Sequence, residues 1–274
     1  MGEKITKNEM TKFLSSNYTF AFAIVYTVMV ASQILNNSVS YDITALFSIL
    51  ECAGLWLIYT SAKSNNGINQ RGFTFVKVNI IVSAVCNALI SILVLLIGVV
   101  FMVVGNSDLQ IDSVIDDIMN YAEAYGIDDL EILNQIKGTD SSIILSFVEI
   151  LGIIFILFGV VYLILSVLYG IYSVKTLNSI KNVTETGIPD SYISMFVVVM
   201  SIISAVITGF SCLSSVILIF AGYFLSFLNC AATLAVYVMI AKGLLNYRDL
   251  MKKTEEKVAG LAEDPMQGGD RYEF

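Results

Sequence analysis

The stretch ILVLLI at residues 92–97 is apolar on every face of a helix or a strand. It lies within a mainly apolar window at residues 78–104. A bilayer-spanning helix needs about 20 such residues, whereas a barrel strand alternates polar with apolar positions. The stretch therefore predicts a transmembrane α-helix.

Windows of this kind occur at residues 18–36, 43–61, 78–104, 143–174, 192–211 and 216–241. We predict an all-α membrane protein with six transmembrane helices.

Composition supports this class. Apolar residues make up 57% of the chain and charged residues 14%, against about 45–50% and about 25% in soluble domains. The chain has no histidine, which excludes histidine-ligated metals and histidine-dependent nucleophilic catalysis. Phosphate-loop, zinc-site and nucleophile-elbow patterns do not occur in the sequence. We predict no enzymatic activity, no cofactor, no metal and no nucleic-acid partner.

The cysteines lie in or at the edge of the apolar windows and none lies in the long polar segment. A disulfide framework is therefore not expected. The four positions are Cys52, Cys86, Cys212 and Cys230.

Basic residues predict how the chain is threaded. Lys and Arg concentrate in cytoplasmic loops. Fourteen of the fifteen lie before the first window, between the second and third, between the fourth and fifth, or after the sixth. The exception is Lys137. We therefore predict that both termini are cytoplasmic and that residues 105–142 are extracytoplasmic.

The predicted organisation has five parts. A cytoplasmic segment, 1–17, contains Thr6-Lys7-Asn8-Glu9, a pattern typical of a helix start. Transmembrane helices 1–3 occupy 18–104, and helices 4–6 occupy 143–241. Between them, 105–142 form an acidic insert that we expect to hold two amphipathic helices. The cytoplasmic tail, 242–274, should be disordered near its end. The fourth window exceeds the hydrocarbon thickness, so it should tilt or project into the cytoplasm.

A polar pattern recurs in the second, fourth and sixth windows. It reads SILECAG at 48–54, SFVEILG at 146–152 and SFLNCAA at 226–232. Because positions i, i+3 and i+6 share a helix face, each copy aligns a serine, a polar residue and a small residue. The pattern suggests three copies of a two-helix hairpin. A coincidence among the few residue types common in spans is the competing explanation.

Ionisable groups inside a span are costly and are functional by default. We therefore hypothesise a proton- or cation-binding site in the outer half of the bundle. The equally supported alternative is that these side chains only join helices by hydrogen bonds. The candidate residues are Glu51, Glu149, Asn229, Ser48, Ser146, Ser226 and Asn87.

Two stretches resemble a known group of proteins. They are KFLSS at 12–16 leading into FAFAIV at 20–25, and KTL at 175–177 leading to SYISMF at 191–196. They look like polytopic membrane proteins of low-GC Gram-positive bacteria, a group to which no activity is assigned. The resemblance implies a bacterial inner membrane and carries no site.

Two functional classes remain open from the sequence. The leading expectation is an accessory or interaction subunit of the cell envelope, with the bilayer and a membrane-protein partner or a second copy as its contacts. The alternative is a small transporter or channel that uses Glu51 and Glu149 to bind a small ion or solute.

Overall fold

A computed structural model describes residues 1–36, 43–64, 67–107, 113, 117, 141–219 and 223–263. The described residues contain helices and no strand. The helices, in chain order, are α1 (Gly2–Leu14), α2 (Asn17–Asn36), α3 (Ile43–Lys63), α4 (Gln70–Gly105), α5 (Ser141–Thr186), α6 (Met195–Ile219) and α7 (Phe224–Glu263). The all-α prediction is confirmed for this part of the chain. The two helices predicted in the insert and the disordered tail end lie outside the described residues.

Five of these helices are long and apolar enough to cross a membrane: α2, α4, α5, α6 and α7. The helix α3 is as apolar as α2 and contains two charged residues, Glu51 and Lys63. It has 21 residues, or about 31 Å at 1.5 Å per residue, which matches the hydrocarbon core of about 30 Å. A multi-pass membrane protein is therefore supported, and the count of six spans remains a proposal.

Three helices are much longer than a bilayer requires. The helix α5 has 46 residues, or about 69 Å, and α4 and α7 have 36 and 40. The helix α5 ends where Gly187 takes a positive φ of 70°, and the Gly187 N–H donates to the Val183 carbonyl. Glycine adopts this backbone conformation without a steric penalty, so it stops the helix.

The chain divides into two compact units. Unit 1 comprises the described residues of Met1–Ala84 and Leu168–Phe274, and unit 2 those of Val85–Val167. In unit 1, α7 packs against α6, α2 and α1, and α3 packs against α2 and α1. Unit 2 contains the later part of α4 and the earlier part of α5.

The largest fully buried side chains of unit 1 lie at one end of its helices. Met10 and Met251 have no exposed area and Tyr247 has 1%. They share a cluster with Val183 near the end of α5 and Phe73 near the start of α4. The helix α1 therefore contributes to a packed core. The prediction that Thr6 starts a helix is wrong, because α1 already begins at Gly2 and the Thr6 hydroxyl donates to the Gly2 carbonyl.

Candidate functional site

Glu51 lies inside unit 1, where three helices meet. It is the ninth residue of α3 and is half-buried. Tyr26 of α2 and Asn79 of α4 contact it, and only 5% and 7% of their surfaces are exposed. The carboxyl group thus sits among side chains that are themselves removed from the surface.

Two donors converge on one oxygen of Glu51. The Tyr26 phenol donates to Oε2 at 2.6 Å, and the Asn79 amide Nδ2 donates to the same oxygen. The Ser48 hydroxyl interacts with the Tyr26 phenol. Tyr169 of α5 interacts with Ser201 of α6. We call the residues Tyr26, Ser48, Glu51 and Asn79 the Glu51 cluster.

The partners of Glu51 are neutral. Within the described residues, the ion pairs join Lys7 with Glu3, Lys12 with Glu9, and Lys181 with Glu185, and none includes Glu51. The described side chains that hold the Glu51 carboxyl group are the neutral donors Tyr26 and Asn79.

Glu149 has a separate environment in unit 2. It is the ninth residue of α5, the same position that Glu51 has in α3. The Nδ2 atom of Asn106, on the turn that follows α4, lies 3.3 Å from Glu149 Oε1, and Asn106 is exposed. Each glutamate therefore has its own asparagine donor, and the two belong to different units.

The glycine three residues after each glutamate lies at a close helix crossing. A Cβ at Gly54 would lie 2.7 Å from the Gly72 carbonyl oxygen, and a Cβ at Gly72 would lie 2.7 Å from that of Gly54. In unit 2, Gly152 and Gly98 meet in the same way, with corresponding distances of 2.8 and 2.9 Å. The small residue of the sequence pattern thus allows α4 to approach, as expected for small residues between membrane helices.

The third copy of the pattern lies against α2. The Ser32 hydroxyl interacts with Asn229 Oδ1 at 3.3 Å, and the Ser226 hydroxyl donates to Asn36 Oδ1 at 3.2 Å. Ala232, in the glycine position, is buried beside Tyr26 in a small apolar cluster. This copy joins α7 to α2, whereas Glu51 joins α3 to α2 and α4.

The remaining candidates have other positions. Asn87 lies in unit 2, and its Oδ1 accepts a hydrogen bond from Tyr162 at 3.2 Å. Ser146 is exposed. Of the predicted residues, the structure therefore brings only Ser48 together with Glu51.

Two members of the Glu51 cluster were not predicted: Tyr26 and Asn79. Tyrosine is common in this chain, with 14 residues, so the sequence does not single out Tyr26. A signal did exist for Asn79. An amide inside a membrane helix usually hydrogen-bonds a neighbouring helix, and Asn79 lies seven residues beyond the glycine that meets Gly54.

Comparisons with protein-family models, with curated proteins and with solved structures gave no match to this chain. The function is therefore argued from the site alone.

Proposed function

We propose that this chain is a six-span membrane protein in which Glu51 binds and releases a proton, as the central group of a small transporter or channel. The observation that carries the proposal is the convergence of the Tyr26 and Asn79 donors on a Glu51 carboxyl that has no cationic partner in the described part of the chain.

The donor set favours a proton over a metal cation. Hard cations require several oxygen ligands, six or more for Mg²⁺ and Ca²⁺. Tyr26 and Asn79 both direct hydrogens at Oε2, so they compete with a cation at that atom. Groups of three or more acidic or cysteine side chains that could hold a metal are absent from the described residues. We assign the exchangeable proton to Oε1, since both described hydrogen bonds end at Oε2.

The proposed threading follows from charge. With α3 as the sixth span, the cytoplasmic side is the one that carries fourteen of the fifteen basic residues. The packed end of unit 1 around Met10 and Met251 is then cytoplasmic. The Glu51 cluster lies about 12 Å from the outer end of α3, at 1.5 Å per residue over eight residues.

The function is tested with purified protein, both in detergent and in proteoliposomes that contain a pH-sensitive dye. Thermal unfolding is measured over a pH series and with added Na⁺, K⁺, Mg²⁺ or Ca²⁺. We expect wild type and Glu149→Gln to respond to pH and to conduct protons when a potential is applied. Glu51→Gln should lose both responses while it elutes as the same folded species. If wild type and Glu51→Gln gave the same pH response and the same proton conduction, the proposal would be overturned. If the protein responded to one metal cation and not to pH, that cation would be the ligand of Glu51 in place of a proton.

A second function, the accessory subunit, is favoured by one observation in unit 2. Asn87 and Tyr162 form a polar pair on otherwise apolar helices, and Tyr162 is 45% exposed. Polar side chains on the surface of a membrane helix favour association with another helix. Under this proposal a transmembrane helix of a partner protein covers the pair. Co-purification in mild detergent followed by mass spectrometry should then recover a stoichiometric partner from wild type, and this partner should be lost from Asn87→Leu.

A further inference from the structure

A pair of thiols lies between α6 and α7, away from the Glu51 cluster. The Cys230 thiol of α7 lies 3.6 Å from the Thr208 carbonyl oxygen of α6. In an α-helix that carbonyl is bonded to the N–H four residues later, which here is Cys212. The Cys230 thiol therefore reaches the turn that carries Cys212, and Cys212 is near enough to act electrostatically on it.

The two cysteines also lie at matching depth. Cys212 comes seven residues before the end of α6, and Cys230 six residues after the start of α7. At 1.5 Å per residue, Cys212 is about 11 Å from the end of α6 and Cys230 about 9 Å from the start of α7. Gly209 faces α7 on the same side, where an added Cβ would meet Leu234 at 4.0 Å. Both cysteines are half-buried and free.

We propose that Cys212 and Cys230 are a reversible disulfide site that joins α6 to α7 when a small disulfide oxidant reaches them. One thiolate attacks the oxidant, forming a mixed disulfide and releasing one thiol. The second cysteine, as its thiolate, then attacks the protein sulfur of that mixed disulfide and releases the second thiol. The two cysteines are thereby oxidised and the oxidant is reduced to two thiols. This site goes beyond the proton function and does not depend on it.

The other two cysteines lack this arrangement. Cys52 of α3 contacts the Thr27 hydroxyl at 3.2 Å, and Cys86 belongs to unit 2. Both can therefore be replaced by serine to isolate the thiol pair.

The test uses 4,4′-dithiodipyridine, a membrane-permeant disulfide, on the folded Cys52→Ser/Cys86→Ser protein in detergent. Intact mass spectrometry should show a loss of two hydrogens and no retained pyridylthio group, with two equivalents of thiopyridone released per chain. Adding Cys212→Ser or Cys230→Ser should instead give one retained pyridylthio group. Dithiothreitol should restore the starting mass in every case.

Two results would overturn the proposal. One is a product that retains two pyridylthio groups, because the thiols would then react independently. The other is the absence of reaction in the folded protein when the SDS-denatured protein reacts fully, because the site would then be closed to oxidants.

Discussion

Tyr26 and Glu51 meet between α2 and α3, where the phenol donates a 2.6 Å hydrogen bond to the carboxyl group. Asn79 of α4 donates to the same carboxyl oxygen. Side chains of three helices therefore meet at one oxygen atom. Hydrogen bonds of this kind hold membrane helices together. They also fix the orientation of a carboxyl group that has no cationic partner among the described residues. The same contact therefore serves both the packing of unit 1 and the proposed proton site.

Replacing Tyr26 by Phe should destabilise unit 1. The substitution removes one donor to Glu51, and the loss of a buried hydrogen bond partner costs about 1–3 kcal/mol. The free energy of unfolding in mixed micelles can be followed by the fluorescence of Trp56, the single tryptophan, which lies on α3 and donates to Thr27. Tyr162→Phe, at the exposed phenol of unit 2, is the control and should change the signal little. Equal effects of the two substitutions would argue against a special role for Tyr26.

The glycine crossing of α3 and α4 should not tolerate a methyl group. In Gly72→Ala the new Cβ would meet the Gly54 carbonyl oxygen at 2.7 Å, so the helices must separate at a cost of about 1–3 kcal/mol. Thermal unfolding in detergent measures the loss. Gly260→Ala is the matched control, since nothing lies within 4 Å of a Cβ at that helical position, and alanine is the better helix former. If Gly72→Ala left the unfolding temperature unchanged, this result would contradict the close approach of α3 and α4.

The packed end of unit 1 should depend on α1. Met10 has no exposed surface, so Met10→Ala should lower the free energy of unfolding by about 2–5 kcal/mol. Met195, which is 48% exposed, provides a matched methionine, and Met195→Ala should have a much smaller effect. If Met10→Ala and Met195→Ala lower the free energy of unfolding by the same amount, α1 does not contribute to the core.

The proposed threading predicts opposite labelling of two serines. Ser64 follows α3, Ser142 lies at the start of α5, and both are exposed. In a cysteine-free background, Ser142→Cys should react with a membrane-impermeant maleimide on intact cells. Ser64→Cys should react only after the membrane is permeabilised. The reverse pattern would contradict the proposed threading, through either an inverted topology or an α3 that does not cross the membrane. Labelling of both serines on intact cells would show that α4 does not cross.

Much of the fold could be predicted because it follows from local composition. Apolar length alone predicts six helices, and α2 to α7 form where the sequence places them. Their ends were less predictable. The apolar window of α4 starts at residue 78, but the helix begins at Gln70, because helix continuation beyond the hydrocarbon core depends on packing at the end of unit 1.

The site was predictable only in part. The sequence identifies Glu51 because a charge inside an apolar stretch is rare. The three-residue spacing identifies its neighbours Ser48 and Gly54. Which helix faces Glu51 depends on how α2, α3 and α4 pack, and no spacing within one helix contains that information. The sequence therefore indicates Asn87, whereas Asn79 contacts the carboxyl group. It also groups Glu149 with Glu51, although the two residues belong to different units.

The most direct test of the proposed proton site is infrared difference spectroscopy of the reconstituted protein between acidic and alkaline pH. A protonated carboxyl group in an apolar environment gives a distinct C=O stretching band, which disappears when the proton leaves. We predict that wild type and Glu149→Gln share such a pH-dependent band and that Glu51→Gln lacks it. A band that persists unchanged in Glu51→Gln, or a wild-type protein without a titrating band, would contradict proton binding at Glu51.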